Sequence, residues 1–154
     1  MPGDKIILIG GGGHCKSVID AIETGGVYEI DGILDVKENV GKNLLGYTIS
    51  GTDDDIESLA AAGRSFIITL GQIKSSRLRE KTYTRLEPCG AKIATIVAPP
   101  AYVSKHASLG AGTVILHHAT VNAGAIIGQN NIINTGSNIE HDVHTGNHCH
   151  IATH

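Results

Sequence analysis

The chain has 154 residues, the length of one domain or of two small ones, and its formal net charge at pH 7 is −3. That charge provides no basic surface for nucleic acid or for an anionic membrane. The chain contains neither a signal-peptide apolar region nor an apolar run of membrane-spanning length, so we expect no membrane insertion and a cytoplasmic location. The three cysteines are widely spaced and odd in number, which argues against a disulfide framework.

Strands and helices alternate over the first part of the chain. Apolar runs predict strands at residues 5–10, 29–36, 65–70 and 92–97, with helices at 14–24, from 52 onward, and at 75–87. The second strand is followed by a polar loop through residue 50. This alternation predicts a parallel α/β unit of Rossmann-like type over residues 1–95.

Three consecutive acids, Asp53 to Asp55, follow Thr52 at the start of the second predicted helix. Such a run resembles a metal site. However, a helix N-terminus favours a Thr cap and negative charge in its first turn, and we interpret the acids as helix-start residues.

A glycine-rich turn, Gly10 to Gly13, joins the first strand to the first helix. A strand, glycines and then a helix offer backbone N–H groups and a helix N-terminus to phosphate. Cys15 and Lys16 occupy the positions where a dinucleotide fingerprint needs its last glycine, and no Walker A sequence is present. The turn therefore indicates a nucleotide diphosphate, with Asp35 at the end of the second strand to contact a ribose hydroxyl. A tight turn with Asp35 as a loop cap remains the alternative.

A six-residue repeat begins at Val97 and continues to the end of the chain. A six-residue period fits neither an amphipathic helix nor a simple alternating strand, and it is typical of a parallel β-helix with three hexads per triangular coil. It predicts a β-helix over residues 96–154, with the aliphatic side chains inside. The residues at this period are Val97, Val103, Leu109, Ile115, Val121, Ile127, Ile133, Ile139, Thr145 and Ile151.

Five of the nine histidines lie in residues 140–154, together with Cys149. This composition suggests zinc, but His141 and His150 are nine residues, or half a coil, apart and should lie on different faces, so we expect no metal site. His141 precedes Asp142, and a carboxylate can orient an imidazole that acts as a base. A solvated surface histidine is the alternative.

Four motifs, in this order, resemble the sugar acetyltransferases of the sialic acid O-acetyltransferase and bacillosamine N-acetyltransferase family, in the hexapeptide-repeat superfamily. They are Ile-Gly-Gly-Gly-Gly-His at 9–14, Gly-Ile-Leu-Asp at 32–35, Thr-Leu-Gly-Gln-Ile-Lys-Ser-Ser-Arg-Leu-Arg at 69–79, and Asn-Thr-Gly-Ser-Asn-Ile-Glu-His-Asp at 134–142. The resemblance covers essentially the whole chain. It implies a left-handed β-helix, a homotrimer with active sites between subunits, and acetyl transfer from acetyl-CoA to a sugar, in the better-known members a UDP-linked amino sugar.

The resemblance also implies residue roles. The family's catalytic histidine matches His141, and its acidic partner matches Asp142. A second histidine, which lies along acetyl-CoA, matches His150. One departure concerns the uridine ribose, because relatives often carry two acids where this chain has Asp35 and then Val36. The positions that match the family's nucleotide-sugar site are Gly12, Gly13, His14 and Asp35, with Gly71 and Arg79 matching more loosely.

The mechanism implied is direct transfer in a ternary complex, with His141 as the base, Asp142 orienting it and a backbone N–H holding the oxyanion. Because relatives continue for several more hexads, we expect that the chain is truncated and acetylates poorly. Two alternatives remain open: a nucleotide-sugar-binding protein without catalysis, and a hexapeptide acyltransferase with a non-sugar acceptor.

Overall fold

The computed structural model describes residues 3–154, and its N-terminal part is built on a six-stranded sheet. The sheet order is β3-β4-β2-β1-β5-β6, and all neighbours are parallel except β3 and β4. The strands are β1 (Asp4–Ile9), β2 (Tyr28–Leu34), β3 (Asn43–Leu44), β4 (Tyr47–Gly51), β5 (Ser65–Ile68) and β6 (Lys92–Ile93). The predicted parallel α/β architecture of this part is therefore present.

Three α-helices cover this sheet: α1 (Gly13–Gly25), α2 (Ile56–Ala61) and α3 (Arg77–Leu86). Gly26 caps the C-terminus of α1: it adopts a left-handed conformation and donates its N–H to the carbonyl of Ile22 at 3.0 Å. Alternate residues of β1 enter two different cores, because successive side chains of a strand point to opposite faces. Ile6 and Leu8 pack with α1, whereas Ile7 and Ile9 pack with α2 and α3.

Residues from Ile96 onward form a three-sided coil of two-residue strands. Paired strands are parallel and 18 residues apart, as where Val114 lies between Ile96 and Ile132. The strands are β7 (Ile96–Val97), β8 (Tyr102–Val103), β9 (Ser108–Leu109), β10 (Val114–Ile115), β11 (Thr120–Val121), β12 (Ile126–Ile127), β13 (Ile132–Ile133), β14 (Asn138–Ile139) and β15 (His150–Ile151). Three strands per turn confirm the six-residue period.

The interior of the coil is aliphatic, as the repeat predicts. Ile115, Val121, Ile127 and Ile133 are buried in one cluster with the small side chains between them. The first residue of the repeat departs from the prediction, because Val97 is 38% exposed.

A column of glycines marks one corner of the coil. A Cβ added at Gly110 would lie 2.5 Å from the carbonyl carbon of Gly128, and one added at Gly128 would lie 2.4 Å from the carbonyl oxygen of Gly146. Successive coils therefore approach each other backbone to backbone at this corner, at a distance that excludes a side chain.

The N-terminal part and the coil share one hydrophobic core. Ile96, Val114 and Leu116 from the coil belong to the same buried cluster as Val18 and Ile22 of α1. Within residues 3–154, no helix is long and apolar enough to span a bilayer.

Two predicted elements differ from the structure. Residues 37–50, predicted as a loop, contain the antiparallel pair β3 and β4. Residues 92–97, predicted as one strand, form two. The N–H of Ala94 still donates to Phe66 in the N-terminal part, whereas that of Ile96 donates to Thr113 in the coil. The backbone thus changes sheets at this point, which interrupts the strand.

Thr52 and the acids after it start a helix, as predicted. The Thr52 hydroxyl accepts from backbone N–H, and the Asp55 carboxylate accepts from the N–H of Thr52 at 2.9 Å, a capping box. Residues Asp53–Asp55 form a single 3₁₀ turn, and α2 follows directly.

Candidate active site

The glycine-rich turn leaves the N-terminus of α1 accessible. Gly10 has a φ of +114°, and a Cβ there would lie 2.8 Å from the backbone nitrogen of Leu70, so the turn requires glycine. A Cβ at Gly12 or Gly13 would meet no atom within 4 Å. Gly12 is the N-cap of α1, no side chain caps it, and the first turn of the helix carries no acid. Its free N–H groups and positive dipole end can therefore receive an anion.

A cavity of about 860 Å³ opens beside this turn, where strands β1, β2 and β4 end. Asp35 lines it, together with Gly10, Lys37 and Ser50. The Asp35 carboxylate accepts from the N–H of Val36 at 2.8 Å and from the Asn39 amide at 3.1 Å. Asp35 therefore caps the following loop and also faces the cavity, so the two interpretations of this residue are compatible.

His14 lies in the first turn of α1, next to the glycine-rich turn, and is held neutral. Burial lowers the pKa of His14 to about 4, with smaller contributions from the charges of Arg79 and His150. Its Nε2 atom is buried without a hydrogen-bond partner among residues 3–154. Gly71 lies beside His14: a Cβ added at Gly71 would be 3.6 Å from the Cβ of His14.

Arg79 is 1% exposed, although the resemblance assigns it to the substrate site. Its guanidinium donates to the carbonyls of Ile68 at 3.0 Å and Leu70 at 2.9 Å, and to the side-chain oxygen of Asn130 at 2.6 Å. Burial lowers the pKa of Arg79 to about 10, which leaves it protonated at neutral pH. These bonds attach α3 and the end of β5 to the coil, so we do not propose a direct substrate contact for Arg79.

His141 and Asp142 form an exposed pair in the turn after β14. The imidazole Nδ1 and the carboxylate Oδ2 are 2.9 Å apart, and the two side chains are 76% and 79% exposed. The hydrogen bond to Asp142, followed by its charge, raises the pKa of His141 above its ordinary value. Because Nδ1 is used in this bond, Nε2 is the nitrogen that can accept a proton. The neighbouring Glu140 carboxylate accepts from the amides of Asn122 at 3.1 Å and Asn138 at 2.8 Å.

His150 lies on β15, in a different sheet of the coil from β14. Its Nδ1 is 2.6 Å from the carbonyl oxygen of Gln72, and its Nε2 is 3.0 Å from the side-chain nitrogen of Asn134. His141 and His150 are thus on separate faces, as the spacing indicates. Among residues 3–154, no group of three or more His, Cys, Asp and Glu side chains is arranged to hold a metal.

The structure brings His14, Gly71, Arg79 and His150 into one region, whereas the His141–Asp142 pair follows β14, in a different sheet of the coil from His150. The sequence interpretation missed three members of this region: Gln72, Asn130 and Asn134. Gln72 stands inside one of the quoted motifs but carried no signal of its own. Asn130 has a φ of +54°, a conformation that Asn tolerates better than most residues, so an Asn at a corner was the available signal.

Residues 5–86, which are more than half of the chain, match the family model of the PglD N-terminal domain. The chain belongs to the PglD family of sugar acetyltransferases. This confirms the predicted family and the acyltransferase class. No curated protein sequence matches the chain.

Solved structures of PglD-like acetyltransferases are similar over nearly the whole chain. The acetyltransferase domain of PglB from Neisseria gonorrhoeae FA1090 is 29% identical with a TM-score of 0.89, over 98% of this chain and 72% of that one. PerB from Caulobacter crescentus, solved with CoA and GDP-perosamine, is 31% identical with a TM-score of 0.85, over 95% of this chain and 67% of that one. The chain thus spans roughly two thirds to three quarters of these relatives.

Two further comparisons bear on fold and ligand. The PglB domain has also been solved in complex with acetyl coenzyme A, at 26% identity and a TM-score of 0.85, over 96% of this chain and 70% of that one. WeeI from Acinetobacter baumannii AYE is 20% identical with a TM-score of 0.79, over 94% of this chain and 68% of that one, and this likeness shows the fold alone.

Proposed function

We propose that the chain transfers the acetyl group of acetyl-CoA to the amino group of a nucleotide-linked sugar. The observation that carries the proposal is the hydrogen bond of 2.9 Å between His141 and Asp142 on the coil, in a chain of the PglD family. Relatives bind acetyl-CoA, or CoA together with GDP-perosamine. The carboxylate fixes one nitrogen of the imidazole and raises its basicity, which suits a general base.

The glycine-rich turn supports a nucleotide diphosphate as the carrier of the sugar. The N-terminus of α1 has neither a side-chain cap nor an acid in its first turn, and Gly12 and Gly13 leave space beside it. The buried positive charge of Arg79 has no carboxylate partner among the described residues and lies near enough to His14 to lower its pKa. An anion at the turn would be favoured by both. Asp35 in the adjacent cavity would then accept from a ribose hydroxyl.

In the proposed reaction the sugar amine attacks the thioester carbonyl carbon. A C–N bond forms first and gives a tetrahedral oxyanion, while Nε2 of His141 takes the proton that the amine loses. The C–S bond then breaks, CoA leaves as a thiolate, and the His141 imidazolium returns the proton to it to give the thiol. A backbone N–H would hold the oxyanion. We assign His150 to the acetyl-CoA side of the site, as the family resemblance implies. No acyl-enzyme is required, so none of the cysteines is given a role.

We further propose that residues 1–95 bind the nucleotide sugar and that residues 96–154 are the acyltransferase part, a left-handed β-helix. The chain would assemble as a homotrimer. Exposed apolar side chains on the coil, among them Tyr102 and Ile126, support an assembly that covers them.

Calorimetry and a thiol-release assay together test this function. The chain is titrated with a UDP-linked amino sugar, which the resemblance favours, and with a GDP-linked one, which PerB binds. Thiol release from acetyl-CoA is then followed with each sugar and with free amino acids. Release that requires a nucleotide sugar supports the proposal. Binding without release identifies a binding protein, and release with amino acids alone identifies a different acceptor.

A further inference from the structure

Gln72, in the loop between β5 and α3, hydrogen-bonds to the end of the coil at two points. Its side-chain amide donates to the carbonyl of His148 at 3.1 Å, and its own carbonyl accepts from Nδ1 of His150 at 2.6 Å. The next residue, Ile73, is 97% exposed, and Lys74 and Ser75 are exposed as well. Gln72 thus attaches an otherwise exposed loop to β15 and to the turn before it.

These contacts determine which ring nitrogen of His150 carries the hydrogen. A carbonyl oxygen can only accept, so Nδ1 carries the hydrogen. The Asn134 oxygen accepts from the N–H of Thr135 at 2.8 Å, which identifies the other atom of that amide as its NH₂ group. An NH₂ group can only donate, so Nε2 of His150 is the bare, accepting nitrogen. The two assignments agree on one neutral tautomer.

We propose that Gln72 is a positioning residue for acetyl-CoA: it holds His150 in the Nδ1–H tautomer and in one orientation on the coil. This rests on the proposed function, which places His150 on the acetyl-CoA side. Because Gln72 and Asn134 occupy both ring nitrogens, His150 contacts acetyl-CoA through the face and carbon edge of its ring. It acts there as a fixed surface and not as a hydrogen-bond donor.

The contact made by the Gln72 side chain can be removed without removing the backbone carbonyl that accepts from His150. Replacement with alanine keeps the backbone oxygen but removes the bond to His148 that anchors the loop. The Nδ1–H group of His150 then loses its fixed acceptor. Only the Asn134 amide still favours the Nδ1–H tautomer, so the other tautomer becomes more populated. A single neutral hydrogen bond contributes about 0.5–1.5 kcal/mol, so a change of roughly 2- to 13-fold in affinity is expected.

The experiment compares Gln72→Ala with Gln72→Glu and with the control Gln129→Ala. The glutamate substitution keeps the size of the side chain but places an acceptor opposite the His148 carbonyl. Gln129 is exposed, and its side chain makes no hydrogen bond in the described part of the chain, so its removal controls for the loss of a glutamine. Thermal unfolding of each variant establishes that it is folded.

Two readouts decide the question. Long-range ¹H–¹⁵N correlation spectra of the imidazoles should show His150 protonated at Nδ1 in the wild type and in Gln129→Ala, and mixed between its nitrogens in both Gln72 variants. Steady-state kinetics should show a KM for acetyl-CoA raised roughly 2- to 13-fold in both Gln72 variants, with kcat and nucleotide-sugar affinity within about twofold of wild type.

A wild-type His150 protonated at Nε2, or an unchanged tautomer in folded Gln72→Ala, would overturn the proposal. So would a changed tautomer with an unchanged KM for acetyl-CoA, because His150 would then not position that substrate. Failure of the proposed function is distinguishable: the wild type would release no thiol, and acetyl-CoA binding followed through the His150 ring signals would replace KM as the readout.

Discussion

The proposed base, His141, is exposed to solvent, and its properties therefore depend on its immediate neighbours. The hydrogen bond to Asp142 is the largest cause of its raised pKa, and Glu140 makes the smallest contribution. Only the unprotonated imidazole can accept a proton from the sugar amine, so the acid limb of the pH–rate profile should report this pKa.

Replacement of Asp142 by Asn should move that acid limb to lower pH. The substitution removes the negative charge that raises the pKa of His141 and replaces the carboxylate with a weaker, neutral acceptor, so the base form persists at lower pH. The maximal rate should also fall, because the ring orientation is less fixed. The measurement is kcat/KM against pH, with Glu140→Gln as the control, for which a smaller shift in the same direction is expected. An acid limb that stays in place in Asp142→Asn would contradict the assignment.

Replacement of His141 by Ala should lower kcat about 10²- to 10⁴-fold, the usual contribution of general-base catalysis. The dissociation constant for the nucleotide sugar, measured by calorimetry, should change little, because His141 does not line the cavity beside the glycine-rich turn. His144→Ala, another exposed histidine in the same stretch, is the control and should keep its turnover. Equal turnover in both variants would remove His141 from the mechanism.

Among the structural elements, the coil shows most clearly what the sequence can predict. Its period is visible because residues 18 apart occupy the same place in successive coils and therefore meet the same packing demand. The hairpin of β3 and β4 carried no such signal. Its turn places Leu45 at a φ of 49° and Gly46 at 90°. Leucine is not typical of a turn that needs two positive φ angles, and so these residues gave no indication of a hairpin.

The glycine column gives a prediction for the coil as an element. Gly128→Ala should lower the free energy of unfolding by about 1–3 kcal/mol, the typical cost of overpacking, because its Cβ would meet the Gly146 carbonyl. Gly146→Ala is the matched control, since a Cβ there meets only the Cys149 sulfur at 3.9 Å. Urea unfolding of the two variants measures the difference. If both variants unfold at the same urea midpoint, the close backbone approach at Gly128 does not require glycine.

At the scale of the whole molecule, the proposed trimer can be tested by mass. Light scattering on the purified chain should give three times the chain mass of 16.1 kDa. Assembly would cover apolar side chains that the isolated chain exposes, among them Tyr102 and Ile126, and their burial drives association. A mass equal to one chain at all concentrations would contradict the trimer and, with it, active sites formed between subunits.

The joint between the N-terminal part and the coil could not be predicted from sequence. Arg79 reaches Asn130, which is 51 residues away, and most of its other partners are backbone carbonyls. Carbonyls are present at every residue, so no residue type signals such a bond. The resemblance instead matched Arg79, loosely, to the family's nucleotide-sugar site. His141 and Asp142, by contrast, are adjacent in sequence, and their pairing was visible there.

Arg79→Met should therefore destabilise the whole molecule. Methionine fills similar space, but it leaves the carbonyls of Ile68 and Leu70 and the Asn130 side chain without their donor. A buried acceptor left unpaired costs about 1–3 kcal/mol, and the free energy of unfolding should fall by at least that amount. Arg77→Met is the control: Arg77 is on the same helix but exposed, and little change is expected.

The measurement is urea unfolding followed separately by circular dichroism and by amide exchange in β15. Loss of protection in β15 would show that Arg79 holds the coil against the sheet, whereas wild-type stability with weakened nucleotide-sugar binding would return Arg79 to the substrate site.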